Sequence, residues 1–205
     1  MLMDYINKNY DKAEPIFMYE LPCTSQDALR QEMKKLTDEG KLIRLYNGVY
    51  YKPYKTIFGT DGKMSINKFI EKKYLYEADQ NVGFISGISM YNKYGFTTQI
   101  PSIIEVVTNT ATTKQRKVEI DGYGIIVYKP VINITKENIN EIEFLTMMTE
   151  IDKYCELSLD ELKSKLKQYV EKKNLKFNLI KEYLPLFPDK VYKNIYNGGL
   201  MNELV

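Results

Sequence analysis

Residues 24 to 52, TSQDALRQEMKKLTDEGKLIRLYNGVYYK, read as one amphipathic helix followed at once by a tight two-stranded ribbon. Three signals predict the helix. Thr24 stands three residues before Asp27, a reciprocal capping pattern in which a hydroxyl accepts from a free backbone N–H at the helix start. Ala28, Leu29, Met33 and Leu36 recur at helical spacing and form one apolar stripe, which leaves Asp27, Arg30, Gln31, Lys34 and Asp38 on the other face. Gly40 then ends the helix, as glycine does where the chain must turn left-handed. Leu42 to Leu45 and Val49 to Lys52 are β-prone runs separated by Tyr46, Asn47 and Gly48, which is hairpin chemistry. A helix running straight into such a ribbon predicts a winged helix-turn-helix whose loop is the wing. The expected partner is double-stranded operator DNA.

Charge places the contact. Lys41, Arg44, Lys52 and Lys55 lie in a run without a carboxylate, although residues 1 to 58 hold nine basic against eight acidic side chains. The positive charge is therefore local to the ribbon. Arg44, Tyr46, Asn47 and Lys52 suit backbone or minor-groove contact, while Thr24, Ser25, Gln26, Arg30, Gln31 and Lys34 offer donors for base edges in the major groove. A net charge of only +2 excludes a protein coated in cation for bulk electrostatic binding.

The 205 residues suffice for one large or two small domains, and 44% hydrophobic with 27% charged residues is the composition of a globular protein. Absence of histidine removes the commonest general base and the commonest neutral metal ligand. Cys23 and Cys155 stand too far apart in sequence for a CxxC site. No apolar run approaches the roughly 20 residues needed to span a bilayer, and MLMDYINKNY lacks a signal-peptide core, so a cytoplasmic protein without membrane contact is expected.

Upstream of Thr24, Leu2 to Asn9 predicts a first helix with Leu2, Tyr5 and Ile6 inward, and Pro15 opens a second from Ile16 to Leu21. Residues 1 to 58 thus form the winged-helix domain, closed by Pro53 and the turn-rich FGTDGKM from Phe58 to Met64. Residues 59 to 205 form the second domain. It should contain a helix from Ser65 to about Asp79 with Ile66, Phe69, Ile70, Tyr74 and Tyr76 on its apolar face, and a second from Ser86 to Tyr94 ended by Gly95. About three strands follow over residues 100 to 130, and then helices from Lys136 to Tyr154, from a Ser158/Glu161 capping box to about Lys173, and from Phe177 onward. The fold class is α+β. Glu137 to Glu161 is acidic and Lys163 to Lys176 basic, so the two segments should pack as helices with internal ion pairs or the acidic one should dock a basic partner.

Nothing catalytic emerges. Glu71 and Lys73 have the spacing of a nuclease E-x-K pair, but side chains two apart on a helix do not converge. Gly83, Gly87 and Gly95 match no phosphate-cradling motif, and Ser86 and Ser89, without histidine to activate them, read as capping and packing residues. Tyr91, Tyr94 and Phe96 read as core. Neither an enzyme nor a cofactor is expected.

The middle segment GISMYNKYGFTTQIPSIIEVVTNT, Gly87 to Thr110, with Arg116 and Lys117 beyond it, resembles the AbiEi-type antitoxins of bacterial abortive-infection toxin–antitoxin systems. The matching residues are Gly87, Ser89, Gly95, Thr97, Thr98, Gln99, Pro101, Val107 and Thr108, and the wing NGVYYKP from Asn47 to Pro53 resembles that family's winged-helix domain. The resemblance covers residues 1 to 130 and touches the C-terminal helices only by architecture. It implies a non-enzymatic antitoxin that represses its own operon through the first domain and neutralises a nucleotidyltransferase-type toxin with the rest, directly or functionally. The antitoxin surface is carried over to no residue. A monomer is expected in solution, with two copies on an inverted repeat, because no heptad seam is sustained. The competing reading is a stand-alone winged-helix regulator whose second domain senses a ligand in a pocket lined by a few converging polar groups.

Overall fold

The computed structural model describes residues 2 to 204 and is α+β, divided into two compact units, one through Lys73 and one from Tyr74. In the first unit, helix α1 (Leu2–Asn9) is followed by strand β1 (Ile16–Phe17), a 3-10 turn (Met18–Glu20), helix α2 (Gln26–Asp38) and the hairpin β2 (Ile43–Tyr46) and β3 (Val49–Tyr51). Strand β3 lies between β1 and β2, antiparallel to both. Leu2, Ile6, Ile16, Leu29, Met33, Leu36, Leu42 and Tyr50 close a common core, so Leu29, Met33 and Leu36 of the α2 stripe are buried as their spacing requires, whereas Ala28, at the helix start, is exposed.

Two further expectations fail here for physical reasons. Ile16 to Leu21 is not a helix: Ile16 and Phe17 pair with Tyr50 and Val49, which buries both side chains at the sheet and leaves only the 3-10 turn beyond them. Tyr5 is exposed rather than inward, and Leu2 and Ile6, with the partly buried Met3, form the inward face of α1.

The chain leaves β3 through an ordered finger in which Lys55 bridges Asp61 and the Tyr54 hydroxyl donates to the Lys63 carbonyl. Helix α3 (Ile66–Ile70), still within the first unit, then places the Phe69 ring 5.9 Å from Phe17. Lys72 donates to the Pro15 carbonyl at 3.1 Å, pairs with Glu20 at 2.9 Å and stands over the Tyr10 ring.

The helix expected to reach Asp79 stops far earlier. After α3 the chain widens into one π-type turn (Glu71–Leu75) and then forms the small hairpin β4 (Tyr76–Glu77) and β5 (Gln80–Asn81). Ala78 and Asp79 at its tip take positive φ, which no α-helix accommodates, and Tyr76 is exposed on a strand.

The second unit is built on a four-stranded sheet. Strand β6 (Gly83–Ser86), which the sequence reading left out, pairs antiparallel with β7 (Ile103–Thr108); β9 (Tyr123–Tyr128) runs parallel to β7, and β8 (Gln115–Ile120) closes the other edge. Helix α4 (Gly87–Lys93) follows β6 directly and packs on β6 and β7. Helices α5 (Ile139–Tyr154), α6 (Leu159–Lys173), α7 (Phe177–Tyr183) and α8 (Lys190–Asn197) complete a core around Phe144, Leu145, Met148, Leu166, Ile180 and Ile195. Helix α5 is kinked at Glu150, whose φ and ψ are non-helical.

The acidic and basic segments meet as packed helices. Glu143 of α5, almost fully buried, is paired with Lys173 of α6 and accepts from the Tyr94 and Tyr169 hydroxyls at 2.8 and 3.4 Å. Burial pulls the Lys173 ammonium pKa down, but the Glu143 carboxylate outweighs it and holds the value above its ordinary one. Both cysteines are free thiols, and no helix among the described residues is long and apolar enough to cross a membrane.

Candidate functional site

Helix α2 begins one residue later than its capping pattern suggests. Ser25, not Thr24, is the N-cap: its hydroxyl accepts from the Ala28 N–H at 3.1 Å. Asp27 is thereby released from a capping role and pairs with Arg30, one helical turn on, at 3.0 Å. At the far end Gly40, with φ +68°, terminates the helix in the left-handed conformation expected of it.

The exposed face of α2 carries Gln26, Arg30 and Lys34 in a single row, each four residues from the next. Gln31 flanks that row, exposed, and Thr24 and Ser25 stand exposed at its N-terminal end. The same two residues border a groove of about 420 Å³ between α1 and the start of α2, with Leu2, Tyr5, Cys23 and Glu32 among its walls. Charge on α2 is balanced, because Asp27, Glu32 and Asp38 offset Arg30, Lys34 and Lys35. The Arg30–Asp27 pair is solvated on both sides, so its net stabilisation is small and the guanidinium remains free to exchange its carboxylate for another anion.

On the hairpin, Arg44 and Asn47 are brought into contact: the guanidinium donates to the Asn47 side-chain oxygen at 3.0 Å across the turn. A register irregularity between Arg44 and Tyr46 bends this strand, and Tyr46 and Asn47 are exposed at the tip. The tip is anchored from below by the Met18 N–H, which donates to the Gly48 carbonyl at 2.9 Å. Lys52 is half-buried just beyond β3. Of the ten residues singled out by sequence, nine are thus exposed and Lys52 is half-buried, in two groups: six at the start and along the outer face of α2, and four on or beside the hairpin.

The second unit contains a different kind of site. A cavity of about 320 Å³ is lined by Ser86, Glu105, Tyr128 and Glu150 together with apolar side chains that include Met90, Val107, Ile142 and Phe187. Ser86 occupies the N-cap position of α4 but makes no capping bond, and its buried Oγ has no hydrogen-bond partner among the described residues. Burial raises the Glu105 carboxyl pKa above its ordinary value, a shift opposed by the Tyr128 hydroxyl that donates to it. That hydroxyl is pushed up to about 12 by burial and by the neighbouring carboxylate.

Sequence reasoning passed over Ser86 and missed Glu105. The available signal was a lone carboxylate inside the apolar run IIEVVT, which a purely structural strand has no reason to carry.

No protein-family model matches this chain, and no curated protein matches it.

Proposed function

We propose that this chain is an antitoxin and transcriptional autorepressor, in which the first unit holds operator DNA as a winged helix and the remainder counters a nucleotidyltransferase-type toxin. The row Gln26, Arg30 and Lys34 on the exposed face of α2 carries the reading, since it offers amide and cationic donors at the pitch of a recognition helix. The element order helix, strand, short turn, helix, hairpin, with the sheet ordered β1-β3-β2, supports it. So do the exposed Arg44, Tyr46 and Asn47 at the hairpin tip. The antitoxin role rests on the resemblance of Gly87 to Thr110. Replacing Arg30 and Lys34 together by Ala should abolish the gel shift of the promoter fragment upstream of this gene while protection against a neighbouring toxin persists; an undiminished shift refutes the DNA-binding half. Loss of protection only when residues of the first unit are changed refutes the division of labour.

A second reading, a stand-alone regulator whose second unit senses a small ligand, is favoured by one observation: the cavity holding the unpartnered Ser86 hydroxyl. A toxin-like nucleotidyltransferase gene beside this one, silenced by co-expression of the chain, decides for the first reading.

A further inference from the structure

Ser86 and Glu105 are direct partners in the antiparallel β6–β7 register, and side chains at such positions project from the same face of a sheet. Tyr128 stands opposite Val107 in the adjoining β7–β9 pair, so its hydroxyl reaches Glu105 from the neighbouring strand. Gly87 makes this arrangement possible. Its φ is +59°, and a Cβ there would collide with a Glu105 carboxylate oxygen, so the absence of a side chain lets the carboxylate rest against the backbone where β6 turns into α4.

We propose that this cavity binds a compact apolar molecule bearing one cationic, N–H-donating head, of the amidinium or primary ammonium class. The Glu105 carboxylate uses only part of its accepting capacity on Tyr128, and Ser86 Oγ is buried with its capacity unused. A hydroxyl buried without a partner is unfavourable, and a ligand N–H directed at it would remove that penalty while a second N–H meets Glu105. Glu150, at the kink of α5, adds a second carboxylate to the lining, against one ammonium from Lys129. Lys153 also interacts with both carboxylates but does not line the cavity, so the lining itself carries more carboxylate than ammonium and disfavours anionic ligands. Met90, Val107, Ile142 and Phe187 supply apolar walls, and a volume of about 320 Å³ lies at the small end of ligand pockets.

This site deepens the ligand-sensing reading by naming the ligand class, and rests on that reading only for any effect on DNA. Binding is measured without DNA, so a failed operator shift leaves it standing and its own failure leaves operator binding standing. The probe is benzamidinium, titrated calorimetrically into the full chain at neutral pH beside neutral benzamide and anionic benzoate. Saturable benzamidinium binding at least tenfold tighter than benzamide, with no benzoate binding, is expected. Glu105→Gln should weaken benzamidinium at least tenfold and Ser86→Ala severalfold, with thermal melts showing that each variant is folded. If Glu105→Gln does not fold, the three-probe comparison on the unaltered chain and the Ser86→Ala titration decide. Benzoate binding as well as benzamidinium, no saturable benzamidinium signal, or affinity unchanged in both variants overturns the proposal.

Discussion

Thr98 and Glu156, far apart in sequence, are joined twice: one oxygen of the Glu156 carboxylate accepts from the Thr98 backbone N–H at 2.7 Å and from its hydroxyl at 3.0 Å. The other oxygen accepts from the Gln99 side-chain amide at 3.0 Å, and the Glu156 N–H donates to the Phe96 carbonyl at 2.9 Å. The Thr-Thr-Gln run after α4 is therefore strapped to the end of α5 by a residue that no local pattern connects to it.

That strap titrates. The Thr98 backbone N–H, then the Gln99 and Thr98 side chains, hold the Glu156 carboxyl down to about 2, below the ordinary 4.5. A folded-state value below the unfolded one contributes stability that is fully present above pH 4.5 and lost as pH falls from there toward 2. Urea denaturation at pH 6 and pH 3 should show a loss for the native chain that is smaller in Glu156→Gln, which has no charge to titrate. An equal loss in both would mean the strap contributes nothing to acid sensitivity.

The Glu143–Lys173 pair predicts an asymmetric response to substitution. Lys173→Met strands the nearly buried Glu143 carboxylate and should cost about 3 kcal/mol or more. Combining it with Glu143→Gln removes the stranded charge while retaining an acceptor for Tyr94, so much of the loss should return. Chemical denaturation of the two variants measures this directly; a double variant less stable than Lys173→Met contradicts it.

Capping of α2 separates two adjacent hydroxyls. Ser25→Ala removes the acceptor for the Ala28 N–H and should cost about 1 kcal/mol, whereas Thr24→Ala should change stability by less than about 0.5 kcal/mol. The reverse ranking in urea midpoints would place the cap at Thr24.

On the DNA side, Arg44 is held by Asn47 at the hairpin tip, and in the proposed complex it meets a phosphate. Arg44→Ala should weaken binding across all sequences alike and lower the salt slope by about 1, whereas Gln26→Ala on α2 should relax sequence preference with the slope unchanged. Fluorescence anisotropy over a salt series reads both; an unchanged slope for Arg44→Ala removes it from the phosphate contacts.

The elements legible in advance were those specified by neighbours in sequence. The stripe Leu29, Met33 and Leu36, the Asn47-Gly48 turn and the reciprocal Ser158–Glu161 cap all appear where local spacing puts them, because helix periodicity, turn conformation and capping are decided within a few residues. The outer row of α2 was legible for the same reason. Ile16 and Phe17, by contrast, are too short a pair to declare a strand and become one only because β3 offers them a partner.

The pocket lay beyond local pattern altogether. Ser86 and Glu105 meet through strand pairing, Tyr128 joins them through the parallel β7–β9 contact, and Glu150 lies on a helix that begins after the sheet is complete. The sequence by itself determined the amphipathic helix α2, the hairpin after it with its local positive charge, and the capped helix α6, since these follow from side-chain periodicity and backbone preference. Only the tertiary structure decided which strand pairs with which, where the helix after Ser65 ends, and that one serine is buried beside a carboxylate without a partner among the described residues, because those outcomes depend on contacts between residues far apart in the chain.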